Sequence, residues 1–253
     1  MQGTITGSLD VAQVTLYVFW VFFAGLIFYL RREDKREGYP LESDRSSLVR
    51  VQGFPVVPRP KTFLLPHGGT VSAPSGRIDE REIRSQPIGP WLGAPNEPSG
   101  NPMADGVGPA AYAARADVPE LTVDGHPSIV PTRVAGDHQV DPTDRNPIGM
   151  EVFGADRMLA GTVRDVWVDR TEPQIRYLEV EIAGPRTVLL PMTLVEINRR
   201  GQIYVKSILA SQFAGVPALG NPDQVTKLEE DRITAYYAGG LLYATPSRQE
   251  PLL

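Results

Sequence analysis

The longest apolar run of the chain lies near its N-terminus, over residues 11–30 (VAQVTLYVFWVFFAGLIFYL). It contains no charged residue, and Gln13 and Thr15 are its clearly polar members. A helix rises about 1.5 Å per residue, so a run of this length spans about 30 Å, the thickness of a bilayer's hydrocarbon core. The pattern predicts a transmembrane helix over residues 11–32, capped by Asp10 or Ser8. A cleaved signal peptide is disfavoured, because residues 1–10 carry no Lys or Arg.

Four cations follow the apolar run directly: Arg31, Arg32, Lys35 and Arg36. Cytoplasmic flanks of membrane helices carry an excess of Lys and Arg, so residues 1–10 are expected outside and the remainder of the chain in the cytoplasm. The same cations are expected to contact anionic lipid headgroups.

The middle of the chain, residues 33–149, is rich in proline and glycine and holds most of the 24 prolines. Proline fixes φ and removes a backbone donor, so helices and central strands are not expected there. Apolar residues such as Phe54, Trp91 and Tyr112 recur between the prolines. This spacing favours an extended segment that becomes ordered on the surface of a partner, with a disordered linker as the alternative.

A β pattern begins at residue 150 and continues towards the C-terminus. Short runs rich in β-branched or alternating residues occupy 162–169, 176–182, 187–190, 194–197 and 202–205, separated by turn signals. They predict a small barrel or sandwich over residues 150–253. Residues 228–237 (LEEDRITAYY) predict a helix that Gly239 and Gly240 end. The expected fold class is therefore one transmembrane helix followed by a mainly-β cytoplasmic domain with a short C-terminal helix.

Composition and motifs narrow the possible functions. The net charge is −5 with both signs interspersed, which gives no basic surface for nucleic acid. The absence of cysteine excludes disulfides and thiolate chemistry, and no hydrolase, nucleotide-binding or metalloprotease motif is present. The apolar helix contains no histidine, so it offers no imidazole to a pigment metal. Asp124 and His126 could hold a metal, although a solvated turn is the commoner use of such a pair. We therefore expect a protein that is not an enzyme.

Acidic residues concentrate in the β region. Asp165, Trp167 and Asp169 share strand parity, which would turn both acids outward if Val166 and Val168 face the core. Carboxylates beside the surface of a partner tend to have raised pKa values, which suits proton transfer near neutral pH. The alternative interpretation is a solvated acidic face.

Several stretches, taken together in this order, resemble one known family: the H subunit of the photosynthetic reaction centre of purple bacteria. They are 29–41 (YLRREDKREGYPL), 60–69 (PKTFLLPHGG), 106–112 (GVGPAAY), 163–170 (VRDVWVDR), 176–181 (RYLEVE), 208–217 (ILASQFAGVP) and 229–246 (EEDRITAYYAGGLLYATP).

The resemblance implies a small barrel of the PRC type and a subunit of the bacterial inner membrane with a periplasmic N-terminus. Such subunits cap the cytoplasmic face of the L and M subunits, stabilise the complex and support proton delivery to the secondary quinone. Bacteriochlorophyll, bacteriopheophytin, quinones and a non-haem iron are expected in L and M, with no cofactor or metal bound by this chain. An antenna ring and a cytochrome subunit are further partners that the resemblance leaves open.

The resemblance also assigns residues. Asp169 and Glu172 lie in a stretch that matches the family's acids on the path to the secondary quinone. Asp124 and His126 match part of a surface cluster for proton uptake; some members use a pair of surface histidines there, whereas this sequence has Ser128 two residues after His126. The resemblance also implies that Arg31, Arg32, Lys35 and Arg36 contact neighbouring subunits as well as lipid. A membrane-tethered β-barrel adaptor unrelated to photosynthesis is the alternative function, because a barrel fold does not dictate function.

Overall fold

The computed structural model describes residues 4–6, 9–39, 41–43, 46–77, 79–91, 93–136, 138–172, 174–184 and 186–249. The chain divides into two compact units, Met1–Glu80 with Pro90–Ala94, and Arg81–Gly89 with Pro95–Leu253. The segment 33–149, expected to be extended, is thus shared between the two units. Ser8, one of the two predicted helix caps, lies outside the described residues.

The long helix of the first unit, α1, spans Val11–Glu33. It begins at Asp10, whose Oδ1 accepts a hydrogen bond from the backbone N–H of Gln13 at 2.7 Å, which confirms this predicted cap. The apolar side chains of the helix are mostly exposed. With its length and composition, α1 is suited to cross a membrane.

The rest of the first unit consists of short antiparallel hairpins, β1 with β2, β3 with β4 and β5 with β6. Their bounds are β1 Thr4–Thr6, β2 Leu9–Asp10, β3 Leu41–Ser43, β4 Ser46–Val51, β5 Lys61–Leu64 and β6 Thr70–Ala73. The hairpins β3–β4 and β5–β6 lie in the segment 33–149, where the proline content argued against helices and central strands. Two-stranded ribbons tolerate proline at their ends, because only one edge of each strand needs its hydrogen bonds.

The second unit is built on a curled, half-barrel sheet with the order β13-β12-β11-β10-β15-β14 and β9 paired to β11. The pair β10–β15 is parallel and its other pairs are antiparallel. A separate hairpin joins β7 to β8. The bounds are β7 Ser85–Pro87, β8 Asn96–Pro98, β9 Ile129–Pro131, β10 Glu151–Phe153, β11 Leu159–Asp169, β12 Gln174–Ile182, β13 Thr187–Pro191, β14 Val195–Ile197 and β15 Ile203–Val205.

Helices complete the second unit. The α-helices are α2 Pro102–Asp105 and α3 Lys227–Tyr243, and short 3-10 helices occupy Gly108–Ala110, Met192–Leu194, Ala210–Gly215 and Pro246–Arg248, with one more at Asp34–Arg36 in the first unit. The core is formed by both faces of the sheet and by α3. Its largest fully buried side chains include Trp167, Leu178, Phe213, Ile233 and Tyr237.

The predicted fold class is confirmed: a helix fit to span a membrane precedes a mainly-β unit with a C-terminal helix. The five predicted strand runs correspond to β11–β15. The predicted end of the last helix is wrong, because α3 continues through Gly239 and Gly240 to Tyr243. These glycines allow close packing: a Cβ on Gly239 would lie 2.6 Å from Ala110 Cβ.

This close packing gives a first prediction. Gly240→Ala would place a Cβ 2.5 Å from the carbonyl oxygen of Ser207. In an open helix the change stabilises, but here the overpacking should lower the free energy of unfolding by about 1–3 kcal/mol. Thermal unfolding followed by circular dichroism measures the effect. Gly136→Ala is the matched control, since a Cβ there meets no atom within 4 Å. Equal stability of the two variants would contradict the tight helix packing.

Candidate functional site

Asp169 is one of the buried acids of the region that the sequence singled out. It ends β11, is 7% exposed and accepts a hydrogen bond from Ser128 Oγ at 2.7 Å. The backbone N–H of Thr171 donates to the same oxygen, Oδ1, at 2.9 Å. On the other side, Arg176 Nε lies 3.6 Å from Oδ2. Oδ1 therefore accepts the hydrogen bonds, while Oδ2 faces the charge of the Arg176 guanidinium.

Ser128 reaches Asp169 because β9 is paired with β11. Ile129 stands opposite Asp169 in the register, and the N–H of Arg170 donates to the carbonyl oxygen of Ser128 at 2.9 Å. Ser128 is 2% exposed and its hydroxyl also lies 2.7 Å from Thr171 Oγ1. Sequence reasoning treated Ser128 only as a missing histidine, since nothing local in the chain indicates pairing with a strand 40 residues later in the sequence.

The surroundings of Asp169 act on its pKa in opposite directions. Burial raises the pKa, while the hydrogen bonds from Ser128 and from the turn, together with the charge of Arg176, lower it. Together, the lowering effects are larger than the effect of burial, so the pKa of Asp169 lies below the ordinary aspartate value. In the chain alone, Asp169 is thus charged at neutral pH, and a raised pKa beside the surface of a partner stays a prediction.

Glu172 shares the turn of Asp169 but lies on the surface. Its backbone N–H points to Asp169 Oδ1 at 3.4 Å, while its exposed side chain accepts a hydrogen bond from Gln174 Nε2 at 3.3 Å. The structure thus brings the two predicted acids into one turn, one facing inward and the other facing solvent. This arrangement can exchange protons between solvent and a buried carboxylate.

Asp124 and His126 lie exposed in a tight turn. The N–H of Thr122 donates to the carbonyl oxygen of His126 at 2.7 Å, and the N–H of His126 approaches Thr122 Oγ1 at 3.3 Å. Gly125 has a φ of 81°, which the reversal requires. In the part of the chain that the structure describes, no cluster of three or more metal-binding side chains occurs. The turn leads within two residues to Ser128 and thus to Asp169.

A second acidic cluster joins Asp165 of β11 to Glu179, its register partner on β12. Arg133 Nη1 is 3.0 Å from Asp165 Oδ2 and 2.6 Å from Glu179 Oε2. Both carboxylates are buried, and Trp167 Nε1 donates to Glu179 Oε2 at 2.9 Å. The hydroxyl of Thr132 donates to Asp165. Arg133 is therefore the cation that these two buried acids share.

These contacts correct the expectation that Asp165 and Asp169 turn outward. Both are buried, and so is Trp167 between them. Val166 and Val168, which point to the other face of the strand, are buried as well. The chain between residues 128 and 135 lies along β11 and covers the side that parity alone assigned to solvent. Irregular pairing of β11 with β12 further disturbs the strict alternation.

A third acid, Glu230, accepts a hydrogen bond from Tyr177 Oη at 3.0 Å. Burial raises the pKa of Glu230, against the lowering effects of Tyr177 and of the charges on Arg176 and Arg115. The sequence indicated Glu230 only as part of an acidic helix start. Its contact with Tyr177 depends on how α3 packs against the sheet, which no local pattern reveals.

The four cations after the apolar run have different surroundings. Lys35 is 3% exposed, and its Nζ donates to the carbonyl oxygens of Gln52 at 2.5 Å and Pro55 at 2.6 Å. It also lies 5.0 Å from the centre of the Tyr39 ring. The expected lipid contact is therefore corrected for Lys35, whose ammonium group binds carbonyls of its own chain.

Arg36 is likewise held within its unit. It forms two hydrogen bonds to the carboxylate of Glu33, and Nη1 donates to the carbonyl oxygens of Arg59 at 2.9 Å and Ala73 at 3.0 Å. Arg31 and Arg32 are exposed. Lipid or partner contact stays a prediction for these two arginines.

Two family models match the chain. The one described as photosynthetic reaction centre, H-chain N-terminal region, matches residues 3–134, more than half of the sequence. The one described as PRC-barrel domain matches residues 143–211, the stretch that holds β10–β15. Asp124, His126 and the four cations fall in the first match, and Asp169 and Glu172 in the second.

The buried carboxylate gives a prediction on stability. Asp169→Asn should lower the free energy of unfolding at neutral pH by about 1–2 kcal/mol, because the amide lacks the charge that its donors bind. Since the folded pKa of Asp169 lies below its ordinary value, the charge stabilises the fold above that value and ceases to do so as the pH falls through the folded pKa. Denaturant titrations from neutral to acidic pH should show the difference shrinking.

Glu172→Gln is the matched control for that series. Because this carboxylate is exposed, the substitution should change the free energy of unfolding by no more than about 0.5 kcal/mol at any pH. A pH-independent deficit in Asp169→Asn, or an equal deficit in both variants, would contradict the assignment of the stabilising charge to Asp169.

The second cluster gives another prediction. Arg133→Met leaves Asp165 and Glu179 buried without their cation and should cost about 2–4 kcal/mol of unfolding free energy. Arg164→Met replaces an exposed arginine of β11, next to Asp165, and should leave the free energy of unfolding nearly unchanged. Adding Glu179→Gln to Arg133→Met should restore part of the loss. Equal melting temperatures for the two single variants would show that Arg133 does not neutralise the pair.

Proposed function

The chain belongs to the photosynthetic reaction centre H-chain family, and from this we propose that it is the non-catalytic subunit that caps the cytoplasmic face of the L and M subunits. In this role it stabilises the complex and supports proton delivery to the secondary quinone. The observation that carries the proposal is the turn in which buried Asp169 and exposed Glu172 adjoin, three residues apart.

Proton transfer through this turn needs a group that meets solvent and a group that faces the interior. Glu172 exchanges protons with water, and Asp169 carries the negative charge that draws a proton inward. Ser128 is suited to link them to the interior, because a hydroxyl both donates and accepts hydrogen bonds. The quinone supplies the redox chemistry when bound in the partner subunits, and this chain's residues hold and move the protons.

Asp124 and His126 are proposed as the uptake site. Both side chains lie exposed on the turn that precedes Ser128, where they meet solvent. The backbone connects this turn to Asp169 through the hydrogen bond between Arg170 and Ser128. Residue 128 is a serine, so the proposed uptake site contains one imidazole, that of His126.

The membrane arrangement completes the proposal. α1 crosses the inner membrane with its N-terminus in the periplasm, as the cations that follow it indicate. The pigments, quinones and iron are proposed to belong to L and M, as the family membership implies, and α1 offers no histidine to a pigment metal. Exposed Arg31 and Arg32 are placed to contact anionic headgroups or neighbouring subunits.

Flash-induced kinetics test the proton role. In complexes with normal near-infrared pigment bands, Asp169→Asn and Glu172→Gln should each slow proton-coupled transfer of the second electron to the quinone by roughly tenfold or more. Primary charge separation should be unchanged, because it needs no proton. Glu151→Gln, at an exposed position on β10, serves as control. Unchanged second-electron rates across the pH range in both variants would remove these acids from the mechanism.

A further inference from the structure

The first unit exposes apolar side chains outside α1 whose role the proton-transfer site does not explain. Phe54 is 83% exposed, and Phe63, Leu65 and Val71 of the β5–β6 hairpin are each more than two-fifths exposed. We call the last three, with Lys61, the hairpin face. Apolar surface of this kind next to polar surface is typical of an interaction site.

Contacts with α1 fix the level of this surface along the helix. The Phe54 ring centre lies 5.7 Å from that of Phe28, more than one turn before the helix ends at Glu33. Lys61 Nζ lies 2.5 Å from Glu33 Oε2 and 5.8 Å from the centre of the Tyr29 ring. A helix of 23 residues is about 34 Å long, so this last turn lies where hydrocarbon gives way to headgroups.

The strand register shows which side of the β5–β6 hairpin is turned towards the last turn of α1. Lys61 pairs with Ala73 and Phe63 with Val71, and alternate residues of a strand share one face. Phe63 and Val71 therefore lie on the side from which Lys61 reaches α1. The opposite side carries Thr62, Thr70 and Ser72 together with Leu64, which is 84% exposed. The hairpin is thus apolar on the side that continues from the helix and mainly polar on the other.

We propose that Phe54 and the hairpin face rest in the membrane interface, against lipid at the boundary of headgroups and acyl chains. The surface continues the exposed apolar surface of α1 and meets it at the depth of Phe28 and Tyr29. Exposed Arg31 and Arg32 supply positive charge at the same end of the helix, which suits anionic headgroups. The chain then contacts the membrane in two ways, through a helix that spans it and through an apolar surface that lies in its interface.

The absence of cysteine makes a direct test possible, because one introduced cysteine takes a spin label at a unique position. The labelled full chain, alone and within the pigmented complex, is placed in vesicles of phosphatidylcholine and phosphatidylglycerol. Val71→Cys and Phe54→Cys report on the proposed surface. Thr70→Cys, on the neighbouring residue of the opposite side, is the matched control. Collisions of the label with membrane-soluble oxygen are compared with collisions with a water-soluble nickel chelate.

At positions 71 and 54 the ratio of oxygen to nickel collisions should be several-fold higher than at position 70, in both preparations. Equal ratios at positions 70 and 71 would overturn the proposal by placing the hairpin in water. A label at position 71 that the complex shields from both reagents would also overturn it, by showing that a protein subunit covers this face.

The inference rests on the membrane span of the proposed function but not on its proton role. Loss of the expected kinetic effect at Asp169 and Glu172 would leave the collision ratios unchanged, so the two failures are distinguishable.

Discussion

The neutralisation of carboxylates buried along β11 is the constraint on which the second unit depends. A buried carboxylate is tolerated only when cations and hydrogen-bond donors surround it. Asp165 and Glu179 obtain theirs from Arg133, and Asp169 obtains its from Ser128 and Arg176. Ser128 and Arg133 flank β9, so the chain before the barrel must lie along β11 before these acids can be buried. The acids therefore tie the proline-rich segment to the sheet.

The first unit uses the same principle at the end of its helix. Lys35 is buried among carbonyl oxygens, and Arg36 bridges the Glu33 carboxylate to the backbone of residues 59 and 73. A lysine or arginine can bind several carbonyls of irregular chain that have no strand partner. Cations that the sequence assigned to the membrane surface thus organise the segment that follows the helix. Because Lys61 also reaches Glu33, the hairpin is held beside the last turn of the span.

The local sequence pattern was sufficient to predict an element where a single physical cause determines its structure. The apolar run predicted α1, and alternation predicted β11–β15, because burial of one face repeats with the period of each element. It failed where a distant segment changes the environment. Asp165 and Asp169 are buried by residues far earlier in the chain, and Gly239 and Gly240 serve close packing against residues 110 and 207 instead of ending the helix. The same limitation hid Ser128 and the contact between Tyr177 and Glu230.

The low pKa of Asp169 bears on how such a site would work. A carboxylate that is charged at neutral pH stores no proton, but its negative charge stabilises a proton arriving from the exposed Glu172. Ser128 Oγ lies 2.7 Å from both Asp169 and Thr171, so its hydroxyl can donate to the charged acid or accept from the protonated one without movement of heavy atoms. Under the proposed role, a site with these properties would pass protons on and would not accumulate them. Glu230, whose pKa burial raises, is the contrasting case of an acid on the same unit that holds its proton more tightly.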